Sequence, residues 1–288
     1  MKVLVLGANG MLGNEIFQAI SKSNNIDSYG TLRHSNLLNQ FAPELSAKLI
    51  DGVEASNLEG VRKILRSLLP EKVINCIAIN HFDRTRDQID AAYKINVLLP
   101  HFLAKECRKI GSRLIHISTD GVFSGIKGGY SEFDIPDPID EYGLQKLQGE
   151  VYYENCITLR TSMIGHSLNG QSGLLDWFLG QQDFCKGYIN AMFSGLPTIE
   201  IANIIKDIII PDASLTGLYH LSADPISKYE VLELIASEYE KKIELIADNS
   251  FTINRTLDSS KFKLHTGYTA PSWEKLISHM KNAHQKFK

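Results

Sequence analysis

Short continuous runs of Val, Ile and Leu alternate with longer amphipathic stretches through the first half of the chain. "KVLVLG" (2–7) reads as a strand buried on both faces, and "GNEIFQAISK" (13–22) as the helix behind it. "DSYGTLR" (27–33) and "AKLIDG" (47–52) supply a second and a third strand. "LEGVRKILRSL" (58–68) is helical, with Val61, Ile64, Leu65 and Leu68 on one face. A strand at "KVINCIAI" (72–79), a helix at "AYKINVLLPHFLAKECRKIG" (92–111) and a strand at "SRLIHIST" (112–119) follow. A loop rich in Gly, Pro and Asp (124–140) leads to a helix in "DEYGLQKLQGE" and a strand at "CITLRTS" (156–162).

Strands that are apolar throughout, alternating with helices, predict an α/β fold: a Rossmann-type, doubly wound parallel sheet with helices on both faces. The second half is less regular. "GLLDWFLGQQ" (173–182) reads as an exposed helix or lid, and "TIEIANIIKDIII" (198–210) and "KYEVLELIASEYEKK" (228–242) as amphipathic helices. "GLYHLSA" (217–223) lies between the latter two as a strand. The expected organisation is a dinucleotide domain over 1–162, to which segments around 189–222 return, and a smaller C-terminal substrate-binding lobe formed mainly by 163–288.

Composition leaves that picture standing and removes others. The 288 residues are 43% hydrophobic and 22% charged, ordinary for a globular protein. A net charge of −3 gives no footprint for nucleic acid or an anionic membrane. The basic tail "HMKNAHQKFK" reads as the solvated face of a terminal helix. No apolar run approaches the roughly 20 residues of a membrane span, and the N-terminus lacks a signal-peptide pattern. Cys76, Cys107, Cys156 and Cys185 are widely spaced and read as free thiols of a reducing cytoplasm. The nine histidines show no metal-ligand spacing, so no metal is expected.

Chemistry enters at "GANGMLG", with glycines at 7, 10 and 13 between a strand and a helix. Such a loop lets backbone N–H groups approach a pyrophosphate at a helix N-terminus, where the dipole favours an anion. In a chain that continues as βαβ units it predicts a dinucleotide site. An NAD site usually carries a carboxylate at the end of the second strand. Here that end reads "GTLRHS", placing Arg33 and His34 there instead. A guanidinium suits a 2′-phosphate, so NADPH is the expected cofactor, with NADH as the alternative.

The fifth strand ends in Ser118-Thr119-Asp120, and Tyr142 and Lys146 share one face of the next helix. Reducing a ketone by hydride transfer requires a proton for the oxygen. A phenol of pKa about 10 serves poorly near neutrality unless a neighbouring cation stabilises its anion. Lys146 is expected to do so, and the Thr119 hydroxyl to hold the carbonyl oxygen beside the phenol.

The G-x-x-G-x-x-G spacing resembles the extended, sugar-nucleotide branch of the short-chain dehydrogenase/reductase superfamily. S-T-D-x-V-F, a Pro/Asp loop, Y-G-x-x-K and "LRTS" further resemble the dTDP-4-dehydrorhamnose reductase family. The match runs from "GANGMLG" to "LRTSMIG" and resumes weakly at "FSGLPTIEIANII", "GLYHLSA" and "NRTLDSSKF". The resemblance implies an NADPH-dependent reductase of a nucleotide-activated 4-keto-6-deoxy sugar, with Thr119, Tyr142 and Lys146 as the catalytic set. It also implies that Gly10, Met11 and Leu12 hold the pyrophosphate, that Asp51 lies near the adenine, and that Ala78 and Ile79 lie along the cofactor. Asn96 corresponds to the helix asparagine that supports the active-site lysine. Asp120, Gly121 and Met163 fall at the sugar, and Arg255 at the nucleotide diphosphate.

Gly121 and Met163 replace aromatic residues usual in the family, which opens the question of the sugar. A dehydratase would need an Asp-Glu pair after the threonine, and Asp120-Gly121 breaks it. An epimerase with tightly held NAD, or a non-catalytic NADP-binding regulatory subunit, remains as the alternative. A homodimer is left open.

Overall fold

A computed structural model describes residues 1–80, 85–168, 170 and 173–285. In chain order its strands are β1 (Lys2–Leu6), β2 (Asp27–Thr31), β3 (Leu49–Ile50), β4 (Lys72–Asn75), β5 (Arg113–Thr119) and β6 (Cys156–Thr161). These are followed by β7 (Met163–Ile164), β8 (Phe184–Phe193), β9 (Leu196–Pro197), β10 (Gly217–His220), β11 (Ile226–Ser227) and β12 (Glu244–Asn254). The helices are α1 (Met11–Ser21), α2 (Pro43–Ser46), α3 (Leu58–Leu68), α4 (Arg86–Tyr93), α5 (Leu99–Lys109) and α6 (Glu141–Gln148). Then come α7 (Gly173–Gly180), α8 (Thr198–Ile204), α9 (Lys228–Glu238), α10 (Ser260–Thr266) and α11 (Trp273–Gln285).

Seven strands form one parallel sheet in the order β10-β6-β5-β4-β1-β2-β3. The fold is the expected Rossmann-type α/β architecture. The continuous apolar strands are explained by its two covered faces. Val3 and Val5 face one core with Ile16, Phe17 and Ile20 of α1, while Leu4 and Leu6 face another with Val61 and Leu65 of α3 and Leu103 of α5. Burying such side chains contributes about 1.5–3 kcal/mol each. The strand order reverses between β1 and β4, so a crevice opens outside their C-terminal ends. Gly7, Cys76 and Thr119 all lie at that edge.

The helix read over 92–111 begins earlier, at Arg86, and passes through a π turn at Lys94–Leu98 before α5. Pro100 lies just after the turn. Its ring nitrogen cannot donate, and the Leu99 N–H reaches back to the Lys94 carbonyl, widening the turn.

In the second half β10 joins the main sheet beside β6. β8 and β12, which the sequence pattern did not mark, form a separate three-stranded sheet with β11 in the order β11-β8-β12. The 173–182 stretch does form a helix, α7, but it is no lid: Leu175 and Phe178 are fully buried in the main core. The basic tail belongs to α11, which turns Trp273, Leu276, Ile277 and Met280 inward; residues 286–288 lie outside the described residues. Among the described residues no helix is long and apolar enough to cross a membrane, and no group of His, Cys, Asp and Glu could hold a metal ion.

Candidate active site

Two hollows meet over the C-terminal edge of the sheet. The first is lined by Gly7, Gly10, Thr31, Arg33, Val53, Glu54, Ala55, Ala78 and Ile79 among others. Its floor is the glycine loop. Gly7 sits at φ +82° with its N–H on Thr31 Oγ1 at 3.1 Å. A Cβ on Gly13 would lie 2.1 Å from the Gly7 carbonyl oxygen, so only glycine lets α1 start this close to the turn. The loop is thus an uncluttered backbone cradle ahead of an eleven-residue helix. That fits the pyrophosphate of a dinucleotide, which Gly10, Met11 and Leu12 would face.

The second hollow, about 620 Å³, continues from Gly10, Met11, Leu12 and Ala78 to Thr119, Tyr142, Lys146 and Met163. Three separately encoded pieces therefore share one cleft. Thr119 ends β5 and accepts the Gly121 N–H through Oγ1 at 3.0 Å. Tyr142 and Lys146 ride on α6, whose start is set by Asp140 accepting the Gly143 N–H at 2.7 Å. A Cβ on Gly143 would come within 2.2 Å of the Gly121 carbonyl oxygen, so the glycine of Y-G-x-x-K lets α6 press onto the Asp120–Val122 turn.

The electrostatics differ from expectation in one respect. Lys146 is 2% exposed and donates to the Ile117 carbonyl at 2.8 Å, with the neutral His116 ring nitrogen Nε2 at 3.5 Å. Burial lowers its pKa to about 8, against the opposing charge of Glu150. The Tyr142 phenol is not acidified: burial, then the charges of Asp120 and Asp140, push it up to about 12. Lys146 is anchored to the strand, and burial dominates the phenol, with the two carboxylates adding to it. Burial also raises the Asp120 carboxyl to about 6, opposed by Arg255, Thr119 and Lys228.

The model of the RmlD substrate binding domain matches residues 1–285. The chain belongs to this family. Within it, the chain is 25% identical to dTDP-4-dehydrorhamnose reductase from Escherichia coli K12 over 98% of its own length and 97% of that protein. It is 30% identical to methionine adenosyltransferase 2 subunit beta from Danio rerio over 83% of the chain and 74% of that protein. A solved dTDP-4-dehydrorhamnose reductase from Bacillus anthracis, in complex with NADP, shares the fold at a TM-score of 0.78 and 23% identity, covering 98% of each chain.

The family resemblance seen in the motifs is therefore confirmed, and the individual residues can be placed against it. Asn96 is fully buried: its amide bridges the Ile79 backbone N–H at 2.9 Å and carbonyl at 2.8 Å, and it donates to Gln145 at 3.0 Å. It braces the loop after β4 against α6. Asp51 lines a shallow groove with Arg33, His34, Ser35, Asn36 and Gly52, while Val53 and Ala55 wall the deeper hollow. Arg255, just after β12, reaches Asp140 at 3.4 Å and comes within 3.9 Å of where a Gly121 side chain would begin. Its Nε is buried without a hydrogen-bond partner.

Sequence reasoning missed two charged groups. Glu54 lies against Arg33 with 2.8 Å between Oε2 and Nε. Glu150 forms a buried pair with Arg160. Neither sits in a recognisable motif; a carboxylate four residues after the lysine of Y-G-x-x-K was the available signal for the second.

Proposed function

We propose that the chain is an NADPH-dependent reductase of a nucleotide-activated 4-keto-6-deoxy sugar, with Tyr142 as proton donor to the C4 oxygen. The observation that carries it is the convergence of Thr119, Tyr142 and Lys146 on one cleft with the glycine loop. When bound, the dinucleotide supplies the hydride. The glycine loop would hold its pyrophosphate, Arg33 its 2′-phosphate, and Ala78 its path toward Tyr142. The NADP held by a solved reductase of the same fold agrees with this assignment.

The chain's own residues manage the oxygen. Thr119 Oγ1 orients the carbonyl oxygen, and the Tyr142 O–H, held protonated by its raised pKa, gives its proton as the carbonyl carbon gains the hydride. The C=O double bond becomes C–H and O–H, and the tyrosinate left behind recovers its proton from solvent. Lys146, which lines the same cleft and is held by the Ile117 carbonyl, contributes its positive charge to the site and does not acidify the resting phenol. Asp120 accepts from a sugar hydroxyl, and the missing side chain at Gly121 leaves room beside it for the Arg255 guanidinium.

A pH dependence follows. Asp120 loses its charge below about pH 6, and Lys146 loses its ammonium above about pH 8. A plot of kcat/KM against pH should be bell-shaped with limbs near those two values, and Asp120→Asn should flatten the acid limb. A profile flat across both limbs contradicts the assignment of both groups.

The subunit beta relative supports a second reading, a non-catalytic NADP-binding regulatory protein. NADPH oxidation measured across dTDP-, UDP- and GDP-linked 4-keto-6-deoxy sugars separates the two. Oxidation with at least one of them is expected. NADPH binding without oxidation of any would favour the regulatory role.

A further inference from the structure

The end of β2 lacks the carboxylate that an unphosphorylated ribose would use, yet the fold brings one there from elsewhere in the chain. The Val53 N–H bonds the Leu32 carbonyl at 2.9 Å, which lays the segment after β3 alongside the end of β2. The next residue, Glu54, is held on both sides. Its Oε1 accepts from Ser56 Oγ at 3.1 Å, its backbone carbonyl accepts the Asn57 N–H at 2.9 Å, and its Oε2 meets Arg33 Nε at 2.8 Å. Asn57 in turn caps α3. The carboxylate is therefore oriented by the start of a helix and is not a loose surface group. Glu54 and Arg33 line the same hollow as Gly7, Gly10 and Thr31. Arg33 also borders the outer groove with His34, Ser35 and Asn36. The guanidinium thus stands between two hollows, with Nε on Glu54 and four further N–H donors on its Nη atoms.

We propose that Glu54 is the residue that sets the choice between the two dinucleotides, by competing with a 2′-phosphate for Arg33 and by accepting from a free ribose 2′-hydroxyl. The proposal rests on Arg33 reading the 2′-phosphate, as in the function proposed above. Both side chains are substantially exposed, at 64% for Arg33 and 44% for Glu54, so the pair is weak and readily exchanged. A 2′-phosphate carries between one and two negative charges near neutrality and outcompetes a single carboxylate for the fork of donors. The carboxylate left beside it then repels it. With an unphosphorylated ribose there is no such repulsion, and the 2′-hydroxyl donates to Glu54. One ion pair thereby tempers a preference that Arg33 alone would make steep.

The test is the dissociation constants of NADPH, NADH, 2′,5′-ADP and 5′-AMP, measured by calorimetry on the full chain, on Glu54→Gln and on Arg33→Ala. Gln keeps an acceptor for Ser56 and Arg33, so the loop is retained. The two adenosine fragments lack the nicotinamide and read this end of the site alone. Glu54→Gln is expected to tighten 2′,5′-ADP and NADPH about three- to fivefold and to weaken 5′-AMP and NADH by a similar factor, the size of one solvent-exposed charged contact. A ratio of phosphorylated to unphosphorylated affinity within about twofold of the unsubstituted protein overturns the proposal. If Arg33→Ala collapses that ratio while Glu54→Gln leaves it alone, Glu54 is dismissed and the cofactor assignment stands. If neither variant moves the ratio, both fall.

Discussion

Tyr142→Phe is expected to lower kcat about a hundred- to ten-thousand-fold while leaving the NADPH dissociation constant within about twofold. The phenol keeps its O–H as a donor throughout the neutral range, because burial and the Asp120 and Asp140 charges hold its pKa near 12. Phenylalanine keeps the ring and deletes that O–H alone. Arg33 and Gly7 line the other hollow, and the backbone of the glycine loop is unchanged by the substitution, so the proposed cofactor contacts there should persist. Turnover and binding should therefore separate in this variant. Retention of more than about a tenth of the normal kcat would mean that the proton comes from elsewhere.

Glu150→Ala should destabilise the fold by about 3–5 kcal/mol, the usual loss when one partner of a buried ion pair is stranded. Arg160 Nε meets Glu150 Oε1 at 2.7 Å and its Nη2 meets Oε2 at 2.8 Å, with side-chain exposures of 3% and 0%. Ser118 Oγ donates to Glu150 Oε1 at 2.7 Å, Tyr152 donates to Oε2, and the Arg160 guanidinium lies 5.2 Å over the Phe123 ring. The pair joins β6 to the strand that ends in Thr119 and to the residues following α6. Without Glu150 the guanidinium keeps its charge and has no carboxylate to meet. Thermal unfolding should show a fall in Tm of roughly 6–20 °C. Replacing both residues by apolar ones of similar volume should lose less than the single change. A single variant that melts within a degree or so of the parent contradicts this role. The same carboxylate supports the Lys146 ammonium, so its loss should also move the alkaline limb of the pH profile downward.

The parts legible in the sequence are those whose cause is local. The run "KVLVLG" is apolar at every position because alternate side chains feed two cores, and the glycines at 7 and 13 answer a turn and a close helix approach within one loop. Tyr142 and Lys146 are one helical turn apart, so their shared face needs no tertiary information. β8 and β12 were missed because their apolar positions do not alternate cleanly. β12 is exposed or half-exposed along its whole length, and its register against β8 shifts between Asp248 and Thr252. Glu54 was missed because its position depends on the Val53–Leu32 hydrogen bond, which no local pattern announces. The helical spacing alone makes Lys146 the cation acting on the phenol, but its bond to the Ile117 carbonyl and the two carboxylates near the phenol depend on packing. In the same way, the sequence pattern puts Asn96 on a helix, while its engagement with Ile79 and Gln145 depends on tertiary packing.

The central claim is hydride delivery to a sugar C4 with Tyr142 supplying the proton. Its most direct test is to incubate the protein with NADPH deuterated at the transferable position and a nucleotide-linked 4-keto-6-deoxy sugar, then locate the label by NMR. The account predicts deuterium at C4 of the reduced sugar with the native chain and almost none with Tyr142→Phe. Label that never leaves the cofactor, or that enters the sugar equally in both proteins, would contradict it.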